Sequence, residues 1–282
     1  MRKPIFNPRT KIAFGTVIVV AILFVAIFAP FVAPSDPNAQ DLLDRLLPPV
    51  WRQDGTVNHL LGTDAYGRDV LSRLVYGSRI SIIVGVAAMM LSCVVGTVLG
   101  MLAGYKGGRQ EALIMRIADA QLAVPAILLA ILVVATMGGS LFNLVVVLGI
   151  SSWMIYARVI FGMTKSIKEL PYVEAAVSQG AGVAYTLRRH ILPQLVPVLT
   201  VISTLQVAQM ILTETALSFL GLGIPPPTPS WGNILAEGRD RLLVAPWIAN
   251  AAGIAIVILV WGINMLGNGL REELDPKGAS RG

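Results

Sequence analysis

One long apolar segment of the sequence carries a stripe of polar residues. In a helix with 100° per residue the stripe covers about 140° of arc. It consists of Ser203, Gln206, Gln209, Thr213 and Glu214. An ionised group facing lipid costs about 2.5–3.5 kcal/mol on insertion scales, so the stripe must face another helix or a water-filled path. Glu214 could bind a cationic group, such as a peptide amino terminus, on a translocation path, or hydrogen bond between helices. Residue types alone leave both roles open.

The other reactive side chains form no recognisable catalytic or metal site. Cys93 is the single cysteine, and His59 and His190 are not at metal-ligand spacing. The sequence contains no H-E-x-x-H, no G-x-x-x-x-G-K-[ST] and no Rossmann glycine pattern. We therefore expect no metal, no cofactor and no ATP site. An intramembrane serine protease is disfavoured because it would need a serine and a base able to meet.

Long apolar segments must hold these residues in place. The chain is 55% hydrophobic and 13% charged, whereas a soluble domain has about 25% charged residues. A helix needs about 20 apolar residues to span the bilayer. Six stretches qualify: 12–33, 80–103, 119–137, 141–160, 198–220 and 248–268. The first is too long for the apolar region of a signal peptide. The sequence thus predicts an all-α integral membrane protein with six transmembrane helices.

The basic residues predict the orientation. With the N-terminus inside, 15 of the 22 Lys and Arg residues lie in cytoplasmic segments and 7 lie outside, as the positive-inside rule favours. The net charge of +6 follows from this bias and does not indicate nucleic-acid binding. The predicted divisions are cytoplasmic tails 1–11 and 269–282, external segments 34–79 and 221–247, a core transmembrane domain 80–268, and within it a cytoplasmic loop 161–197.

Two features within the spans concern packing. Gly96, Gly100 and Gly104 continue a four-residue spacing from Ser92, and small residues at that spacing let another helix approach closely. Pro125 lies inside the third predicted span and should kink it, because proline removes a backbone donor.

The external segments contain two further signals. An apolar helix face formed by Val70, Leu71, Leu74 and Val75 is opposed by Arg68, Asp69, Ser72 and Arg73. This pattern predicts a short helix lying in the membrane interface. Trp231 and Trp247 are predicted to be interface anchors, where tryptophan is enriched.

The cytoplasmic loop contains the string PYVEAAVSQGAGVAYTLRRHILPQ, which starts at Pro171. Pro171 suits the first turn of a helix, and Glu174 complements the positive helix end. Gly180 and Gly182 then interrupt the chain, and a second short helix is predicted to stop at Pro193. The unit is a helical hairpin at the membrane surface, which suits docking to a soluble partner.

This string resembles the EAA loop of permeases in ATP-binding-cassette importers. The matching positions are Glu174, Ala175, Ala176, Gly180, His190, Leu192 and Pro193. The external strings HLLGTDAYGRDVLSRLVYGSRISI and SFLGLGIPPPTPSWGNIL, and the ending GNGLREELDPK, are similar to those of dipeptide, oligopeptide and nickel importer permeases. They match the subunit type with a short first outer loop. Relatives usually place Ser or Asp after the glycine, where this chain has Gly182 and Val183. Glycine is a somewhat weaker cap, so a looser turn is expected.

The resemblance implies a type I importer permease in a bacterial inner membrane, with both termini in the cytoplasm. It implies half of a translocation path for di- and oligopeptides, coupled through the EAA loop to separate ATPases that bind the ATP. The implied partners are a second homologous permease, two ATPase subunits and an extracytoplasmic binding protein. Import of nickel or another small solute by the same family is the alternative. A secondary transporter is disfavoured because no internal repeat is evident.

Overall fold

The computed structural model describes residues 7–274, and within them the chain is helical. The α-helices are α1 (Pro8–Ile27), α2 (Ala29–Val32), α3 (Val70–Lys106), α4 (Gly108–Leu122), α5 (Ala126–Met137), α6 (Leu141–Ile150), α7 (Trp153–Lys168), α8 (Pro171–Ser178), α9 (Val183–Thr186), α10 (Leu192–Phe219), α11 (Trp231–Arg239) and α12 (Pro246–Leu274). A 3₁₀ turn spans Leu42–Asp44, and a π-helical turn spans Leu187–Ile191. Extended pairing in the described residues is limited to an isolated bridge between Thr63 and Asp69.

Among residues 7–274, five helical segments are long and apolar enough to cross a membrane. They are α1, α3, α6 with α7, α9 with α10, and α12, and a sixth results if the bent pair of α4 and α5 counts as one span. The predicted all-α membrane class is therefore confirmed. The predicted tails, 1–11 and 269–282, lie partly outside the described residues.

The helix is interrupted between α4 and α5, at the proline for which a kink was predicted. The two helices are bent by 86°. Pro125 has φ −57° and ψ 123° and stands just before α5. Proline lacks an N–H and disfavours a helical residue before it, so one helix ends near this point and another begins after it. The predicted stretch 119–137 is thus a broken segment and not a single kinked helix.

Helix α3 begins well before its apolar stretch. The Asp69 carboxylate accepts a hydrogen bond from the Ser72 backbone N–H at 2.7 Å, which caps the first turn. From there the helix continues for 37 residues without a break. The prediction of a separate interfacial helix is therefore wrong. Its polar side is also not solvated, since Arg68 and Arg73 are only 4% and 2% exposed.

Glycines allow α3 and α7 to lie in close contact. A Cβ atom on Gly100 would be 2.6 Å from the carbonyl oxygen of Ala157, and one on Gly104 would be 2.8 Å from that of Phe161. Real Cβ contacts are longer than this, so only glycine fits. Gly96 is the third member of this row and lies against Trp153 of α7. The row therefore sets how close the two helices come, in the manner of small-residue interfaces in membranes.

The first and last long helices also pack through glycine. A Cβ atom on Gly15 of α1 would lie 2.6 Å from the carbonyl oxygen of Gly262 and 2.5 Å from the backbone nitrogen of Leu266, both in α12. Nearer the chain ends, the Lys11 ammonium contacts the Glu272 carboxylate. The N-terminal helix is thus attached along the last span.

Helix α11 and the start of α12 form a buried structure at the end of the bundle that the basic residues predict to be external, which we call the outer end. Trp231 donates its indole N–H to the carbonyl oxygen of Leu74 at 2.8 Å, and Trp247 donates to that of Thr63 at 3.1 Å. Both rings are buried. The prediction that these tryptophans anchor the chain at the membrane interface is therefore wrong, because their indole donors are used within the protein core.

Candidate functional site

The string with the EAA pattern forms a compact hairpin of α8, a glycine turn and α9, which we call the EAA hairpin (residues 171–186). Pro171 occupies the first turn of α8, where its missing N–H costs no helical hydrogen bond. Glu174 lies in the same turn and is exposed, beside backbone N–H groups that favour a negative charge. Ala175 is exposed and Ala176 is half-buried.

Gly180 closes α8 in a conformation that favours glycine. Its φ is +89°, in the left-handed region that other residues adopt only with strain. The N–H of Gly180 donates to the carbonyl of Val177, and that of Ala181 donates to Ala176. This pair of bonds is a Schellman motif, which satisfies two carbonyls at the end of the helix. Gly182 has an ordinary φ of −69° as the N-cap of α9, so the two glycines have different roles.

The helix after the turn does not stop at Pro193, as the sequence predicted. It continues from Val183 to Phe219. The turn before the proline is π-helical, and the N–H of Leu192 donates to the carbonyl of Leu187. This wider turn accommodates the missing proline N–H and its ring, which would break a regular α-helix. The hairpin is therefore continuous with the spanning helix α10.

The EAA hairpin, together with the helical turns that follow it, has one anchored side and one open side. Val173, Leu187, Ile191 and Leu195 are buried in a cluster with residues of α3 and α7. The open side presents Tyr172, Val177, Val183 and Tyr185, each more than 40% exposed. His190 is half-buried and lies between Tyr172 and Tyr185, with ring centroids 6.1 and 5.7 Å away. A rigid base with an exposed apolar surface has the form of a docking element.

The polar stripe of α10 divides into two groups. Glu214 is completely buried. Its carboxylate accepts hydrogen bonds from Ser218 at 2.7 Å and from Ser81 of α3 at 3.3 Å. Ser203 accepts a hydrogen bond from the Tyr156 hydroxyl of α7 at 3.1 Å. In this conformation both Glu214 and Ser203 connect α10 to neighbouring helices of the same chain.

The second group lies at the outer edge of the stripe. Gln209 is exposed, and Thr213 is half-buried with its hydroxyl donating to the Gln209 carbonyl at 2.8 Å. Gln206 lies between the groups: it is buried, and its Nε2 has no hydrogen-bond partner among the described residues. An amide exposed on a spanning helix cannot face lipid without cost. This edge of α10 therefore suits contact with another protein chain or with water.

Comparison with known proteins identifies the chain. Residues 96–278 match the family described as binding-protein-dependent transport system inner membrane component, and residues 12–49 match the N-terminal transmembrane domain of oligopeptide transport permease C. The chain belongs to this permease family. The resemblance stated from the EAA string and the external strings is thus confirmed.

Individual relatives of this permease are similar over most of their length. A di/tripeptide transport system permease of Pseudomonas aeruginosa is 41% identical over 93% of this chain and 87% of its own. A glutathione transport system permease of Pectobacterium atrosepticum is 41% identical over 92% of this chain and 84% of its own. An oligopeptide transport system permease of Bacillus subtilis is 38% identical over 93% of this chain and 84% of its own.

The fold of the permease also has a solved counterpart. A chain of the methionine ABC transporter MetNI, in an inward-facing conformation, superposes with a TM-score of 0.56 at 20% identity. The match covers 71% of this chain and 95% of that chain. At this identity the comparison supports the fold alone, and it agrees with the predicted importer permease architecture.

Sequence reasoning missed a buried ionic cluster at the outer end of the permease. Asp64 pairs with Arg68 at 2.7 Å and with Arg73, while Glu237 of α11 pairs with Arg68 at 2.9 Å and with Arg73. We call these four residues the outer ionic cluster. Asp64, Arg68 and Arg73 are nearly fully buried. A signal was present in Arg68 and Arg73, which border an apolar segment, but the helical periodicity placed these two residues on the polar side of an interfacial helix.

Proposed function

We propose that this permease forms one half of the translocation path of an ATP-driven importer for di- and oligopeptides. The EAA hairpin carries the proposal, because it combines the family pattern with a buried base and an exposed apolar surface. The relatives named above are peptide and glutathione permeases, which favours peptides over the nickel alternative. The predicted orientation places the hairpin on the cytoplasmic side of a bacterial inner membrane.

The proposed partners follow from the family. A second homologous permease completes the path, two ATPase subunits bind and hydrolyse ATP, and an extracytoplasmic binding protein delivers the peptide. The ATP-driven closure of the ATPases acts on the EAA hairpin, with Glu174, Ala175, Ala176 and Gly180 at the contact. Because the hairpin is continuous with α10, its movement is transmitted directly to that spanning helix.

The exposed edge of α10 is the proposed lining of the path. Gln209 and Thr213 present an amide and a hydroxyl that can bind peptide backbone groups by hydrogen bonds. Gln206 lies beside them and Ser203 and Glu214 behind them, where they hold α10 against α3 and α7. Glu214 reaches the path in this proposal only if α10 rotates during the transport cycle.

ATP hydrolysis and uptake by the complete assembly in lipid vesicles test this proposal. Binding protein loaded with short peptides should stimulate hydrolysis, whereas the empty or nickel-loaded form should not. Glu174→Lys should abolish the stimulation and the uptake, because it reverses the charge at the hairpin. Glu273→Lys is the matched control: it reverses an exposed acidic residue near the end of α12, outside the hairpin, and should still transport.

Two results would contradict the proposal. Normal peptide uptake by the Glu174→Lys assembly would show that the hairpin does not couple hydrolysis to transport. If only the nickel-loaded binding protein stimulated ATP hydrolysis, the substrate would be a nickel chelate and not a peptide. Membrane insertion and assembly of each variant are checked by co-purification of all subunits.

A further inference from the structure

A groove of about 570 Å³ runs along the outer half of α12. Its floor is one face of that helix, formed by Ala251, Ile254, Ala255 and Ile258, which recur at the three- and four-residue spacing of a single helical face. Ile254 and Ile258 are 59% and 43% exposed. The groove is therefore apolar and open to the surroundings of the helix.

The outer end of the groove is polar and basic. The segment 49–52 lies over the start of α12, with the Arg52 guanidinium 5.9 Å from the centre of the Trp247 ring. Asn250 lines the same end, and Trp51 beside it is 67% exposed. Within residues 7–274, Arg52 forms no salt bridge. One positive charge thus stands at the end of the apolar floor.

We propose that this groove binds one phospholipid of the outer leaflet. Arg52 binds the phosphate through charge-assisted hydrogen bonds, to which a guanidinium is well suited. One acyl chain lies along Ala251 and Ala255, beside Ile254 and Ile258. Exposed Trp51 occupies the headgroup level, where tryptophan is enriched.

A lipid fits the groove better than a helix of the second permease. Small residues such as Ala251 and Ala255 also occur at helix contacts. However, segment 49–52 covers the outer end of the groove, where a straight spanning helix would have to continue. A lipid ends at that level, and its phosphate complements the charge of Arg52. The site is separate from the proposed translocation edge of α10.

The test is labelling of the intact importer with a photoactivatable phosphatidylglycerol, followed by mass spectrometry of the labelled peptides. Label is expected in segment 49–52 and on the groove face of α12. Arg52→Gln should reduce it about tenfold, the loss expected when one charge-assisted hydrogen bond is removed. Ala255→Phe should reduce it similarly by filling the groove.

Two matched controls should leave the labelling unchanged. Arg239→Gln removes another external arginine, one that pairs with Asp240 and lies outside the groove. Val257→Phe adds the same bulk to α12 at a position that is 67% exposed and does not line the groove. Equal labelling in all variants would overturn the proposal. A photoreactive residue at position 255 that crosslinks to the second permease would overturn it in favour of a subunit contact.

Discussion

Glycines serve two unlike purposes in this permease, and the difference can be tested residue by residue. Gly100 is required by space, since its missing side chain lets α7 approach. Gly180 has open space around it but needs a positive φ. The first kind determines packing of the transmembrane helices, and the second determines the shape of the EAA hairpin.

For the first kind, we expect Gly100→Ala to lower the free energy of unfolding by about 1–3 kcal/mol, the usual cost of overpacking. The added methyl group would press on the Ala157 carbonyl. The measurement is thermal unfolding of the purified assembly. Gly162→Ala on α7 is the control, because nothing lies within 4 Å of its Cβ position. Equal melting temperatures for the two variants would argue against close glycine packing.

For the second kind, we expect Gly180→Ala to cost about 1–2 kcal/mol through backbone strain alone. The strained turn should lower the number of peptides transported per ATP hydrolysed. Gly182→Ala is the control, since Gly182 also has free space and its φ is −69°. If both variants couple ATP hydrolysis to transport equally well, the left-handed turn is not needed for coupling.

At the scale of a single element, α10 joins three functions along one helix. It is continuous with the EAA hairpin, it packs through Glu214 and Ser203 against α3 and α7, and it exposes Gln209. Its two polar groups should therefore respond to mutation in different ways.

We expect Gln209→Leu to lower kcat/KM for peptide uptake roughly 2- to 10-fold, as for loss of one hydrogen bond to substrate, with little change in thermal stability. Glu214→Leu should instead destabilise the fold by about 1–3 kcal/mol, because it leaves the serine hydroxyls buried without a partner. Uptake kinetics and melting curves for the same preparations separate the two. A stable Glu214→Leu protein with altered substrate selectivity would instead indicate that Glu214 lines the translocation path.

At the scale of the whole molecule, the outer ionic cluster connects parts that are distant in sequence. Asp64 and Arg68 precede α3, Arg73 lies in its first turn, and Glu237 belongs to α11. The cluster thus attaches the external segment to the structure that covers the outer end of α10. Removal of one partner from a buried ionic pair leaves the other charge uncompensated.

We therefore expect Arg73→Met to destabilise the outer end by about 3–5 kcal/mol, because Asp64 and Glu237 lose a shared cation. Limited proteolysis of residues 34–69 and thermal unfolding measure the effect. Arg79→Met on the same helix is the control, since Arg79 is half-buried and forms no salt bridge within residues 7–274. Its guanidinium lies 6.0 Å from the centre of the Tyr76 ring. Unchanged proteolysis in Arg73→Met would show that the cluster does not hold the external segment.

Much of the fold and part of the site were predictable from local patterns. The apolar segments, the glycine row and the helix–turn–helix form of the EAA hairpin all depend on neighbouring residues in sequence. The helix end predicted at Pro193 was wrong because a π-helical turn can accommodate a proline within a helix. No local signal distinguishes that case from a helix end. Trp231 and Trp247 were misread because their hydrogen-bond acceptors, Leu74 and Thr63, come from distant segments.

Local sequence patterns were enough to identify this chain as a helical membrane permease and to locate its EAA hairpin. Hydrophobic length, small-residue spacing and the EAA pattern are local properties, and lipid leaves a chain few alternatives to helices. Which polar residues face inward depends on tertiary contacts. Glu214 and Gln209 share one arc of a helix, but α3 covers one and not the other. Arg73 is buried because Asp64 and the distant Glu237 compensate its charge there.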